Sequence, residues 1–135
     1  MNEDFWDQLS LEIVLDRIFS DSSASVEFDK GWYQIVIDCD FELSQLDPGY
    51  TILQVKEKFG GLRYYFTPSK LATEETRAKM LMVALKYEDI ASRTCEVTGQ
   101  PGVLMKSPTG NYKTLNPEFA KDHEIYSKYF IVSKN

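Results

Sequence analysis

The sequence predicts an α+β domain: N-terminal helices, then a central antiparallel β-hairpin packed on a long helix, then a small C-terminal β segment. Three observations predict this order. Apolar residues recur at helical spacing within residues 5–19, 29–46 and 69–93. Two β-prone runs flank the diglycine Gly60-Gly61. Glycines and prolines then interrupt the chain from Gly99 onwards, as is typical of short strands joined by turns.

The length of 135 residues is usual for a single domain, so we treat 1–135 as one unit with three parts. These are an acidic helical part (1–48), a hairpin with a long helix (49–94), and a ribbon-like segment with a tail (95–135). The N-terminus is acidic and polar, unlike a signal peptide. No apolar run reaches the roughly 20 residues that a spanning helix needs. We therefore expect a cytoplasmic protein with no membrane contact.

Two of the three predicted helices need a choice between alternatives. The run from Trp32 to Ile37 has strand propensity, but the helical period continues through Leu46, which favours a helix over 29–46. The helix over 69–93 has either Ser69 or Thr73 as its N-cap. Its predicted buried stripe consists of Met80, Val83, Ala84, Tyr87, Ile90 and Ala91.

The C-terminal segment predicts two short paired strands, Val103–Lys106 and Tyr112–Leu115. Asn116-Pro117 then predicts the start of a last short helix. The aromatic, β-prone tail over 126–132 forms either an edge strand or a packed arm. Because such a tail can be exchanged between chains, the sequence is compatible with a dimer.

The diglycine predicts a two-residue hairpin turn, since such turns need positive φ. This register places Phe59 opposite Leu62 and Lys58 opposite Arg63. Alternation then separates two faces. The apolar face holds Val55, Phe59, Leu62, Tyr64 and Phe66, with Glu57 as an exception, and the basic face holds Lys56, Lys58, Arg63 and Tyr65.

The four residues of the basic face are the candidate binding site. A like-charge pair of Lys58 and Arg63 costs stability, which indicates an anionic group nearby. That group is a phosphate, an acidic partner protein, or the protein's own acidic N-terminal half. The alternative is a solvated face balanced by Glu57 and by helix carboxylates.

The charge of the chain is divided unevenly. Residues 1–48 carry twelve acidic and two basic residues, and residues 49–135 carry nine acidic and thirteen basic ones. This asymmetry provides either surfaces for charged partners or an attraction between the two halves within one fold.

The sequence assigns no catalytic residue, no metal ligand and no cofactor. Cys39 and Cys95 are predicted to be free thiols in a reducing compartment. One histidine, His123, gives no basis for a nucleophile–base pair, and no phosphate-binding loop is present. An acidic cluster could ligate Mg²⁺, but a solvated helix face is the preferred interpretation. This cluster consists of Asp38, Asp40 and Glu42.

The segment from Gln54 to Phe66, QVKEKFGGLRYYF, resembles a family of small uncharacterised bacterial and phage-encoded proteins with a "VKEKFGGLRFY" hairpin. In that family the hairpin follows a helical segment with a Gly-Trp pair, here Gly31-Trp32. The resemblance extends over about residues 28 to 120. It implies a phage or prophage context and carries over no activity.

The same family has a C-terminal zinc-ribbon-like segment that reads C-E-x-C-G-x-P-G and then T-L-C-x-x-H-A. Here Cys95 keeps its position, but the other three ligand positions hold Thr98, Asn116 and Phe119. The resemblance therefore implies a degenerate zinc ribbon that is held by packing, with Phe119 filling the place of a ligand.

Taken together, the sequence predicts a non-enzymatic phage or prophage accessory protein that binds another protein. Such binding could inhibit a host factor. The alternative is a nucleic-acid-associated protein that uses the basic hairpin face. The net charge of −6 disfavours this alternative. A small enzyme whose site is not recognisable from the sequence is the third interpretation.

Overall fold

The computed structural model describes residues 25–132 and confirms the mixed α+β class. Within this range lie two sheets of three strands each and three α-helices. The helix predicted over 5–19 lies outside the described residues.

The first sheet contains β1 (Ser25–Glu27), β2 (Thr51–Lys58) and β3 (Gly61–Thr67), in that spatial order. β1 is parallel to β2, and β2 and β3 form the antiparallel hairpin, which has an irregularity between Ile52 and Gln54. The main core lies between one face of this sheet and the two long helices. Its buried residues include Val36, Leu43, Ile52, Val55, Leu62 and Met80.

The predicted helices over 29–46 and 69–93 are confirmed. A short 3-10 turn, Lys30–Trp32, leads into α1 (Tyr33–Leu46), and α2 covers Glu74–Ala91. Thr73 is the N-cap of α2, since its hydroxyl accepts the Thr76 N–H at 3.1 Å. The predicted stripe of α2 faces the core.

Among the described residues, no helix combines the length and the apolar character needed to cross a bilayer.

The second sheet contains β4 (Val103–Lys106), β5 (Tyr112–Leu115) and β6 (Phe130–Ile131), in the order β5-β4-β6. The predicted pairing of β4 with β5 is confirmed, and the tail forms an edge strand on β4. The last predicted helix is α3 (Pro117–Lys121). A separate small core lies here, built from Cys95, Met105, Leu115 and Ala120.

The predicted Gly-Gly turn and its register are wrong. The turn residues are Phe59 and Gly60, with φ of 53° and 83°. Lys58 therefore pairs with Gly61, and Arg63 lies opposite Lys56 rather than opposite Lys58. Phe59 is 69% exposed and does not belong to the apolar face.

The reason for this turn is a contact with the second sheet. The Thr114 hydroxyl donates to the Gly60 carbonyl oxygen at 2.7 Å. A Cβ on Gly60 would lie 2.5 Å from Cδ1 of Leu104. Gly60 is thus the position at which the hairpin tip contacts β4 and β5. Because a Cβ has little room there, a glycine occupies this position of the turn.

A second contact joins the two parts of the fold at the Gly31-Trp32 turn. The Gly31 N–H donates to the Glu96 carbonyl at 2.7 Å, and Trp32 Nε1 donates to the Thr94 carbonyl at 2.9 Å. A Cβ on Gly31 would lie 2.3 Å from the Cys95 carbonyl oxygen, so only glycine permits this approach. We call this contact and the Gly60 contact together the intersheet joint.

The turn assignment predicts different effects of alanine at the two adjacent glycines. Gly60→Ala should lower the free energy of unfolding by about 1–3 kcal/mol, because an L-residue with positive φ is strained and its Cβ would press on Leu104. Gly61→Ala should change it by less than about 0.5 kcal/mol, since Gly61 has no positive φ and its Cβ would meet only ordinary contacts. Urea denaturation measures both. Equal losses would contradict the Phe59-Gly60 turn.

Candidate binding surfaces

The four basic-face residues predicted from the sequence lie together on the face of the first sheet that points away from α1 and α2. Lys56 is the cross-strand partner of Arg63. Lys58 follows Lys56 at the next position on the same face, and Tyr65 follows Arg63 in the same way. The alternate positions, such as Val55 and Leu62, are buried beneath the helices. We call Lys56, Lys58, Arg63 and Tyr65 the basic sheet face.

The charges of the basic sheet face are poorly compensated. Glu27 of β1 is the strand partner of Lys56. Among residues 25–132, however, no carboxylate oxygen lies within 4.0 Å of the cationic nitrogens of Lys56, Lys58 or Arg63. Glu57, predicted to balance them, instead accepts the Gly60 N–H at 2.6 Å. A like-charge pair is therefore present, between Lys56 and Arg63.

The interpretation of the acidic cluster as a solvated helix face is wrong for Asp40, which is buried, and agrees with the exposure of Asp38. Asp38 is exposed and accepts a hydrogen bond from Gln34 at 2.8 Å. Asp40 is 4% exposed and accepts a hydrogen bond from the Tyr50 hydroxyl. Glu42 lies 2.7 Å from the Lys86 ammonium, whose hydrogen bond holds the pKa of this carboxyl below its usual range. The three carboxylates thus have three different structural roles.

Asp40 belongs to a buried polar network that the sequence did not reveal. The Tyr50 hydroxyl bonds to Asp40 and lies 2.7 Å from the Tyr64 hydroxyl. Burial, and then the Asp40 carboxylate, raise the pKa of Tyr50, while burial raises that of Tyr64. Both phenols therefore stay protonated at neutral pH and serve as donors within the core. Helical spacing alone carried no signal for this network, because Tyr50 lies just before β2 and Tyr64 lies in β3.

Ion pairs connect the acidic first part of the chain to the basic remainder. Glu42 of α1 pairs with Lys86 of α2, and the Lys113 ammonium lies 3.3 Å from a carboxylate oxygen of Asp29. Lys113 also lies 3.2 Å from the buried Glu96. These pairs satisfy part of the charge asymmetry inside the fold.

The region predicted as a degenerate zinc ribbon is packed by side chains. The Thr98 N–H donates to Cys95 Sγ at 3.4 Å, and Asn116 Oδ1 caps α3 by accepting the Phe119 N–H at 3.0 Å. The Phe119 ring packs against the small core that contains Cys95. Within residues 25–132, no group of three or more His, Cys, Asp or Glu side chains is placed to hold a metal ion. Kinship with zinc ribbons stays a prediction.

Helix α2 has a second apolar face that the sequence reasoning missed. Leu81, Met82 and Leu85 are 55%, 66% and 50% exposed. Together with Ala78 they lie on one face of the helix, since residues three and four apart are neighbours. The signal was present in the sequence as three large apolar residues that do not belong to the buried stripe.

This face of α2 continues into an apolar groove of about 610 Å³. The groove lies between the hairpin tip, the C-terminal end of α2 and the second sheet. Its lining includes Phe59, Val103, Leu104 and Ile131, with Asp89, Ser92 and Arg93 as polar residues. Because Asp89 and Ser92 follow Leu85 at helical spacing, the groove is continuous with the exposed apolar face. We call the two together the α2–groove surface.

Both cysteines should be inert in the folded protein. Cys39 and Cys95 are fully buried, and burial raises the pKa of the Cys39 thiol. We expect no reaction with a disulfide reagent such as dithionitrobenzoate in buffer, and complete reaction of both thiols in urea. Ser92→Cys, at an exposed position, is the control that should react in buffer. Prompt modification of either native thiol would show that its burial is wrong.

Comparison with known proteins adds no assignment to these two surfaces. The chain matches no protein family model, no curated protein and no solved structure.

Proposed function

We propose that this protein is a cytoplasmic, non-enzymatic binding protein, an accessory protein of phage or prophage origin, that docks another protein on the α2–groove surface. The observation that supports this proposal is the exposure of Leu81, Met82 and Leu85 beside an apolar groove. Contiguous exposed apolar surface with a polar border is typical of protein interaction sites.

The border of this surface favours an apolar partner over a highly charged one. Three cations along one side of α2 already have carboxylate partners at 2.7 to 3.3 Å. These pairs are Lys79–Glu75, Lys86–Glu42 and Arg93–Asp89. Binding would therefore draw mainly on burial of apolar area, and the balanced pairs would form its rim.

The dimensions of the surface suit an amphipathic helix as the bound element. Positions 78 to 92, which end at the C-cap residue of α2, extend over about 21 Å at 1.5 Å per residue. A partner helix of similar length can lie along α2 and place one large apolar side chain in the groove, which is a common mode of recognition. Covering such a helix on a host factor would inhibit that factor.

Replacing leucines on the α2–groove surface should abolish capture of the partner. The variant Leu81→Asp with Leu85→Asp loses apolar contact area, while its unfolding free energy should change by less than about 1 kcal/mol, since both side chains are at least half exposed. Affinity capture from the source cells, followed by mass spectrometry, measures the loss. Leu71→Asp is the matched control, because Leu71 is 93% exposed and outside this surface.

A specific protein recovered with the native chain and the Leu71→Asp control, and absent with the double variant, supports the proposal. Identical recovery by all three would overturn it. Sedimentation of the purified protein provides a separate outcome: a native dimer that the double variant converts to a monomer would assign this surface to self-association instead.

The basic sheet face supports a second candidate function, binding to nucleic acid. Its three cations have no carboxylate within 4.0 Å in the described part of the chain, and the exposed Tyr65 ring lies beside them. Cations neutralise backbone phosphates, and an exposed aromatic ring can stack on an unpaired base.

Charge reversal on the hairpin tests this second function. Lys58→Glu with Arg63→Glu should weaken binding of a fluorescent single-stranded oligonucleotide by about tenfold or more at low salt and reduce its salt dependence. Fluorescence anisotropy at two salt concentrations measures both effects. The control Lys70→Glu with Lys128→Glu makes the same change in net charge at exposed lysines elsewhere. Affinity that survives reversal on the hairpin, or that drops equally in the control, would exclude a role of this face.

A further inference from the structure

We propose that Phe59, at the tip of the hairpin, is a base-stacking residue that makes the basic sheet face a site for single-stranded nucleic acid. This role deepens the second candidate function above and rests on it. Three features of the hairpin support it: the exposure and backbone conformation of Phe59, the cations beside its ring, and the order of the binding groups along the strands.

Phe59 occupies a position of the turn that does not suit phenylalanine. Its φ is 53°, in the left-handed region, and the next residue, Gly60, has a φ of 83°. Two-residue turns with positive φ at both positions favour Asn-Gly, and a bulky residue is strained at the first position. The ring gains little from the fold in return, since Phe59 is 69% exposed. A strained and exposed aromatic residue indicates a role in binding.

The turn nevertheless holds Phe59 in a fixed place. The Glu57 carboxylate accepts the Gly60 N–H at 2.6 Å, and the Thr114 hydroxyl donates to the Gly60 carbonyl at 2.7 Å. Both polar backbone groups of the residue that follows Phe59 are therefore bonded. An aromatic side chain on a fixed backbone loses less conformational entropy on binding than one on a mobile loop.

Two cations lie beside the exposed end of the turn. The Lys58 ammonium is 5.7 Å from the centre of the Phe59 ring. The Arg63 guanidinium also reaches toward the tip, because a Cβ on Gly61 would lie 3.8 Å from its Nη1 atom. Within residues 25–132, neither cation has a carboxylate oxygen within 4.0 Å. The ring thus offers a stacking surface to a base, and the cations offer counter-charges to its phosphates.

The strand register places the cations between two exposed aromatic rings. Tyr65, which is 43% exposed, marks one end of the site, and Phe59 marks the other. The Lys56–Arg63 pair and then Lys58 lie between these ends. From Tyr65 to the first residue of β3 the strand rises about 13 Å, at 3.3 Å per residue. A single strand laid along the hairpin would stack a base at each end and pass its phosphates over the cations.

A protein partner is the alternative occupant of the tip, since Phe59 also lines the apolar groove. The charges favour nucleic acid at this residue. The cations along α2 have carboxylate partners, whereas Lys58 and Arg63 have none at that distance in the described part of the chain. Uncompensated cations beside an exposed ring are typical of sites that bind single strands.

Phe59→Asn tests this role because it separates binding from folding. The variant creates the Asn-Gly pair that this turn favours, so its urea midpoint should stay the same or rise. Its affinity for a fluorescent single-stranded oligonucleotide at low salt should fall about tenfold, because one stacked base is lost. Its affinity for a duplex of the same length should not change, since paired bases are stacked on each other and the cations remain. Fluorescence anisotropy measures both affinities.

Phe41→Asn is the matched control. It makes the same replacement at a phenylalanine of α1 that is 63% exposed, and it should bind both oligonucleotides as the native chain does. Lys58→Glu with Arg63→Glu should give a different pattern, in which affinity for the single strand and for the duplex falls together, since both ligands use the cations.

The outcomes separate this role from the function on which it rests. Native-like binding of the single strand by Phe59→Asn, with a loss in the charge-reversal variant, would overturn the role of Phe59 and leave nucleic-acid binding in place. No binding by the native chain, or unchanged affinity in both variants, would exclude both.

Three further results would overturn the stacking role alone. The first is a lower urea midpoint of Phe59→Asn, which would show that the ring supports the fold. The second is an equal loss of affinity in Phe59→Asn and Phe41→Asn, or for single strand and duplex. The third is loss of a captured protein by Phe59→Asn with its affinity for the oligonucleotide kept, which would assign the ring to the α2–groove surface.

Discussion

The close approach of backbone at two glycines is the constraint on which the rest of the structure depends. At Gly31 the chain passes so near Cys95 that a Cβ would lie 2.3 Å from its carbonyl oxygen, and at Gly60 the hairpin tip reaches Leu104 and Thr114. At Gly31 the backbone hydrogen bond to the Glu96 carbonyl forms because no side chain separates the two backbones, and at Gly60 the Thr114 hydroxyl bonds to the turn carbonyl. The intersheet joint thereby sets the position of the hairpin relative to the second sheet and creates the groove between them.

Several residues on which the predicted family resemblance depends have structural roles in this chain. Gly31 and Gly60 belong to the intersheet joint, Trp32 donates to Thr94 across it, and Cys95 lies in the small core. Glu57 holds the turn by accepting the Gly60 N–H. These residues therefore describe how two sheets are joined. A search for a protein partner is better directed at residues outside the motif, such as the exposed face of α2.

The two candidate surfaces differ in chemistry and meet at the hairpin tip, where Phe59 lines the groove and the Lys58 ammonium lies 5.7 Å from the centre of its ring. The α2–groove surface is apolar with balanced ion pairs at its border, whereas the basic sheet face carries uncompensated cations among the described residues. A ligand that fills the groove at Phe59 would therefore lie next to Lys58 of the basic sheet face. The domain offers an apolar surface and a cationic surface that share a border at the hairpin tip.

The sequence by itself determined the elements whose signals are local. The helical period predicted α1 and α2, and Asn116-Pro117 predicted the start of α3, whereas the structure selected Thr73 over Ser69 as the cap of α2. The grouping of the basic sheet face was also predicted, although the register was wrong by two residues. A shift of two preserves the alternation of a strand, so each side chain stays on its face while its partner changes.

Only the tertiary structure decided the position of the turn, the burial of Asp40 and the exposure of three apolar residues of α2. These residues are Leu81, Met82 and Leu85. Each of these features depends on contacts with other elements of the fold: the Thr114 hydroxyl bonds to the Gly60 carbonyl, and the Tyr50 hydroxyl bonds to the buried Asp40 carboxylate. The exposed face of α2 follows from which of its two apolar faces packs on α1 and β3. Such contacts form only when the whole chain folds. The spacing of apolar residues within one helix or strand does not specify them.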